Sequence, residues 1–398
     1  MRFGPFAFLF SVALSLGIGC GSVVKKPHET GEVSKKFDDK MSATESWQDQ
    51  MKALEKNLVE IYPLVLNPEE FESQKNDKKI SDNLKRLNAV AAKVNHSPMT
   101  VMNDPTLAFI SFDFRQQLGN VDRAFSLGKK NYARFELLKM TQYCIECHTQ
   151  SNKGPSFGYS QFSNKIQTLP AITQAEIYVA TRRFDEALKS YQDFFNQTDT
   201  SWDVQFKAEQ AIHNSLSILI RYKRDPEATK VFLEKVQKVG FVPLYLKTMI
   251  PVWQADVKKW AAESKAMKPS LSIVKIWIDR SNSRMFEYGR LGSEVWNQLA
   301  ISYLHEFLES TRFKPYKADV LWLLGASYIN GLNSYQSSLG EKYLEVCIRT
   351  FPNSFSAHRC YFKLEEYVYD TNTGTAGTFL SIEDERRLKE LKALSEPK

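Results

Sequence analysis

The sequence predicts an all-α protein in two parts: four N-terminal helices, then a longer array of paired helices. Three observations predict it. Apolar residues recur at spacings of four and three along most of the chain, which puts them on one face of each helix. Little of the chain alternates apolar and polar residues as a half-buried strand does. In the second half, small residues recur where paired helices would touch. A length of 398 residues is too much for one small core and suits two domains.

Taken in order, residues 1–20 read as an export signal. Arg2 supplies the positive start, Phe3 to Ile18 form an apolar run broken by glycine, proline and serine, and small residues lead to Cys20. The run is too short and too interrupted for a membrane span. Leu16-Gly17-Ile18-Gly19-Cys20 resembles the lipobox of bacterial lipoproteins, with the leucine one place out of register. That resemblance implies lipidation at Cys20 and a membrane anchor on the periplasmic side. Ordinary cleavage to a soluble periplasmic protein is the alternative. Residues 21–40 then form a flexible tether.

The first domain, 41–150, carries four amphipathic stripes. Trp47, Met51, Leu54, Leu58 and Ile61 mark a helix over about 44–62. Ile80, Leu84, Leu87, Ala91 and Val94 mark a second over about 78–95. Asp104 as N-cap and Pro105 at the first helical position open the third, which continues through Leu107, Ile110, Phe114, Leu118, Val121 and Phe125. The fourth, about 131–149, places Leu137, Thr141, Cys144 and His148 on one face. Four such stripes joined by modest loops can bury one another as an antiparallel bundle.

Cys144-Ile145-Glu146-Cys147-His148 is the C-x-x-C-H pattern of c-type haem attachment. Two thiols at this spacing can add to the two vinyl groups on one edge of the macrocycle, and the next residue can reach the iron. On a helix Cys144 and His148 share a face. A thioredoxin-like C-x-x-C would sit in a βαβ context, and a zinc site would need further clustered ligands; neither is present in the sequence. The expectation is one covalent haem c, held by Cys144 and Cys147, with His148 as the proximal iron ligand.

Four helices with this motif near the end of the last resemble the cytochrome c-prime family, over roughly 40–150. The resemblance implies a haem inside a four-helix bundle and a first-helix residue facing the distal side of the iron. Trp47-Gln48-Asp49-Gln50-Met51-Lys52-Ala53-Leu54 is similar to that segment, which puts Met51 at the distal position. Met51 is then either a sixth ligand, suited to electron transfer, or a pocket wall that leaves iron five-coordinate for a small gas. His96, Met99 and Met102, in the connection after the second helix, are lesser candidates for the sixth ligand. Arg134 could meet a haem propionate or be a solvated surface charge. His28, His213, His305 and His358 have no partner at a diagnostic spacing and read as ordinary.

Residues 151–170 are rich in Ser, Asn, Gly and Gln, punctuated by Pro155 and Pro170, and read as a linker. Beyond it, Ala175, Tyr178, Phe184, Ala187, Tyr191 and Phe194 resemble a tetratricopeptide repeat. Leu321, Leu324, Gly325 and Tyr328 with Cys347 and Pro352 resemble a second, with a long turn at Asn330–Gly340. A third lies near Trp202–Val239, keeping Ala228. The stretch 245–315 is helical but off the pattern. The resemblance implies an α-solenoid over 171–398 with a concave face of the kind that binds peptides. Cys347 and Cys360 can pair in an oxidising compartment or stay as buried thiols.

No Gly-rich phosphate loop, nucleophile elbow or H-E-x-x-H motif is present, so the sequence does not predict an enzyme. The net charge of +7 forms no basic block with interleaved aromatics, which argues against a nucleic-acid partner. The leading expectation is an exported, lipid-anchored monohaem electron carrier that docks on redox or envelope proteins through its helical repeats. A haem-based gas sensor and a repeat scaffold with structural haem are the alternatives.

Overall fold

The computed structural model describes residues 47–93, 104–150, 160–198, 201–264, 269–332 and 334–397. Cys20, His28, His96, Met99 and Met102 lie outside them. The helices are α1 (Trp47–Val65), α2 (Pro68–Glu72), α3 (Asp77–Lys93), α4 (Thr106–Ser126), α5 (Lys130–Lys139), α6 (Thr141–His148), α7 (Ser160–Gln167), α8 (Ala171–Ala180) and α9 (Phe184–Phe194). Then come α10 (Trp202–Leu216), α11 (Pro226–Val236), α12 (Leu244–Ser264), α13 (Leu271–Gly292), α14 (Glu294–Glu309), α15 (Lys317–Ile329), α16 (Ser334–Thr350), α17 (Phe355–Thr371) and α18 (Ile382–Ser395). Among the described residues the only strands are β1 (Thr373–Gly374) and β2 (Gly377–Thr378), a minimal hairpin. The all-α class therefore holds. No described helix is long and apolar enough to cross a membrane.

The four expected stripes each become a buried face. Helix α1 packs on α3, α3 on α4, α4 on α5 and α6, and α5 back on α1. Leu54, Ile61, Leu84, Leu87, Ile110, Leu118 and Val121 are buried among them. The fourth helix is not continuous. At Met140 (φ −66°, ψ −21°) the ladder tightens to three-residue bonds, Met140 N to Leu137 O and Tyr143 N to Met140 O, both 3.1 Å. The third starts at Thr106, and Asp104 caps from just outside, its Oδ1 accepting from Thr106 N at 2.9 Å.

The expected linker at 151–170 is partly helix. Helix α7 packs on α1 and α8 with Ile166 fully buried. A punctuated, polar stretch looks like a linker only until its few apolar residues find a surface to cover.

In the second half the small-residue reading is physical. A Cβ on Gly325 of α15 would lie 2.6 Å from Leu344 of α16, so only glycine permits this approach. The turn between these helices is shorter than expected, because α16 begins at Ser334 and Gln336 Oε1 accepts from Leu332 N at 2.9 Å. Cys347 and Cys360 are joined in a disulfide with Cα atoms 6.3 Å apart, tying α16 to α17. Helix α14 is buried on nearly every side, as a central helix must be. A π-helical turn, Ser217–Tyr222, extends α10.

Candidate cofactor site

Helices α1, α3, α4, α5 and α6 surround a cavity of about 80 Å³. Its walls are apolar: Leu54, Leu58, Ile61, Leu87, Ile110, Phe114, Leu118 and Leu137. Cys144, Cys147 and His148 line it from α6, and Met51 lines it from α1. The amphipathic stripe of α1 places Met51 there, since Met51, Leu54, Leu58 and Ile61 follow one helical face.

Both cysteines are free thiols, and Cys144 Sγ donates to Met140 O at 3.8 Å. Burial pushes both thiols up to about 12, so neither is a poised nucleophile or a ready thiolate. His148 is 6% exposed, and burial pulls its pKa down to about 4, which keeps the imidazole neutral. Its Nδ1 lies 3.1 Å from Val179 O in α8. Only a donated Nδ1–H satisfies that carbonyl, so the lone pair falls on Nε2, the tautomer an iron ligand needs.

The donor set fits a c-type haem: two thiols and one oriented neutral imidazole on an apolar wall. It does not resemble a zinc site. Among the described residues no three of His, Cys, Asp and Glu converge as metal ligands.

Arg134 also bonds within this group of helices. Its Nε donates to Val65 O at 2.7 Å and so satisfies a carbonyl in the last turn of α1. One cation near the motif is Arg182, which the sequence did not single out. Arg182 holds φ +54°, a conformation that glycine usually fills after a helix. It is 9% exposed, and its charge acts on both Cys147 and His148.

Behind the cavity lies a buried polar chain that sequence reasoning also missed. Arg221 Nη1 donates to Glu146 Oε2 at 2.6 Å, with both side chains almost fully buried. Gln336 Nε2 donates to the other Glu146 oxygen at 2.6 Å. Arg221 Nη2 reaches the Tyr328 hydroxyl at 3.3 Å, which lies 2.8 Å from His305 Nε2. His305 Nδ1 is 2.7 Å from Asp104 Oδ2, and the Tyr343 hydroxyl donates to Asp104 Oδ1 at 3.1 Å. Burial works against the Arg221 charge, but the Glu146 carboxylate outweighs it and holds the guanidinium above its ordinary value. His305, read as ordinary, is thus a junction; its partner Asp104 is 201 residues away, so no local spacing could reveal it. Arg221 did leave a signal: a lone charge closing the apolar run Ile218–Ile220.

The chain matches no protein-family model, no curated protein and no solved structure.

Proposed function

We propose that this chain is an exported monohaem c-type cytochrome that carries electrons and docks on a protein partner through its C-terminal helices. The observation that carries the reading is the convergence of Cys144, Cys147 and His148 on one apolar cavity. Haem c bound there would supply a one-electron iron couple. The Cys144 and Cys147 thiols would hold the macrocycle edge, and His148 would offer Nε2 to the metal while Val179 O fixes its ring. Arg182, whose charge acts on Cys147 and His148, would favour a propionate carboxylate on that side, and the leucine, isoleucine and phenylalanine walls would exclude water. In this reading α1, α3, α4 and α5–α6 form a cytochrome c-prime-like four-helix bundle, and the helices beyond Pro170 a tetratricopeptide-like solenoid. No enzymatic step is assigned to either part.

The Cys347–Cys360 disulfide supports an oxidising compartment. With the signal-like N-terminus, it favours a periplasmic protein anchored by lipid at Cys20. The partner would be a redox or envelope protein; neither charge nor motif favours nucleic acid.

A pyridine haemochrome assay with intact-mass analysis, on protein matured in a host competent for haem attachment, tests the reading. The expected result is one haem per chain; colourless protein of unmodified mass would refute it. Reduced-state spectra with and without carbon monoxide then divide carrier from gas sensor. A six-coordinate ferrous spectrum converted to five-coordinate by Met51→Leu supports the carrier, and ready gas binding by the wild type supports the sensor.

A further inference from the structure

Helix α8 carries more than the carbonyl that holds His148. One turn before Val179 lies Glu176, whose carboxyl is 3% exposed. Each of its partners among the described residues is neutral. The Tyr191 hydroxyl donates to Oε1 at 2.8 Å, Asn214 Nδ2 to Oε1 at 3.3 Å and Gln210 Nε2 to Oε2 at 3.4 Å. The Thr141 hydroxyl adds a further bond, and Gln210 also donates to Thr141 Oγ1 at 2.8 Å. Thr141 sits one turn ahead of Cys144 on α6. The groups facing Glu176 are therefore Tyr62 from α1, Thr141 and Cys144 from α6, Tyr191 from α9, and Gln210 and Asn214 from α10. Of these Tyr62 and Cys144 line the cavity, and both feel the Glu176 charge.

An acid whose role was only to accept these hydrogen bonds could be a glutamine, which avoids the cost of burying a charge. A buried carboxyl without a cation is instead sensitive to any charge that changes nearby, because little water screens it. Burial pushes Glu176 up to about 7, against the hydrogen bonds from Tyr191, Thr141 and Asn214. It thus lies where a modest added field decides its protonation.

We infer that Glu176 is a redox-linked proton site: its carboxylate binds one proton from solvent when the group held by Cys144, Cys147 and His148 gains one electron, and releases it on reoxidation. The inference rests on the haem reading. An external one-electron donor supplies the electron, one O–H bond forms on Glu176, and no bond in the protein breaks. The added electron raises the carboxyl's proton affinity, and the proton restores local charge.

Redox titrations of the holoprotein, followed in the visible spectrum between about pH 5 and about pH 9, test it. The wild-type potential should fall with rising pH by up to about 59 mV per tenfold change in proton activity. In Glu176→Gln it should stay flat across the same window. Tyr191→Phe removes one donor to the carboxylate and should move the sloping region to higher pH. Redox difference infrared spectra should gain a protonated carboxyl stretch on reduction, absent in Glu176→Gln. A slope that survives in Glu176→Gln, or a flat wild-type profile, overturns the inference. If that variant does not fold, the wild-type infrared spectrum decides, and absence of the carboxyl band overturns it. A protein without haem would refute the functional reading and this inference with it; haem-bearing protein with a flat potential sinks this inference alone.

Discussion

Helix α6 presents two unlike surroundings within five residues. Cys144, Cys147 and His148 meet a cavity walled by leucine, isoleucine and phenylalanine. Glu146, between the two cysteines, meets Arg221 and Gln336 from the second half of the chain. The first surrounding is an apolar cavity; the second is a polar cluster already filled by the protein. If this helix holds a bulky group, as proposed, it cannot be steadied from the cavity side alone. The buried ion pair and amide on the other side fix its position instead. The contrast separates residues that would hold the cofactor from residues that hold the holder.

The largest expected effect lies on the cavity side. Cys144→Ser/Cys147→Ser should abolish covalent haem entirely, read as loss of the added mass under denaturing conditions. On the opposite side, Arg221→Met should lower stability by about 3–5 kcal/mol, because it strands the Glu146 charge in the core. The urea midpoint measures this, and adding Glu146→Gln should recover a good part of the loss. If Arg221→Met unfolds no more easily than wild type, Glu146 and Arg221 do not brace α6. A smaller effect, about 1–3 kcal/mol, is expected for Gly325→Ala, which drives a methyl into Leu344, neither residue being part of the cavity lining. That variant should destabilise the fold while leaving the haem spectrum unchanged, and a changed spectrum would break the separation between the regions.

A further effect is a pH dependence of stability. His213 lies 3.4 Å from Glu294 and 3.9 Å from Glu209. Burial alone would lower its pKa, but the two carboxylates carry it up to about 9. Its value in the unfolded chain is about 6.5. The folded form therefore binds the proton more tightly, and the stabilisation is complete below about pH 6.5 and lost as pH rises through about 9. Urea midpoints should decline across that window in the wild type and not in His213→Gln.

Much of the first part of the fold was legible because helical periodicity is local. The seams through Leu54, Leu84, Leu118 and Leu137 each became a buried face. The motif was legible for the same reason, since Cys144 and His148 need only one turn of helix to share a side. Arg182 was not, because its approach to His148 depends on a left-handed residue at the end of α8. The linker reading of 151–170 missed α7, as composition does not tell whether Ile166 has something to pack against.

By itself the sequence determined the helical class, the seams and the grouping of Cys144, Cys147 and His148 on one helix, all set by interactions within a few residues. Only the tertiary structure decided that Asp104 meets His305, that Glu146 meets Arg221 and that Glu176 is buried among neutral groups. Those pairings join residues far apart in the chain. Their energies come from desolvation and charge in the packed interior, which no local pattern encodes.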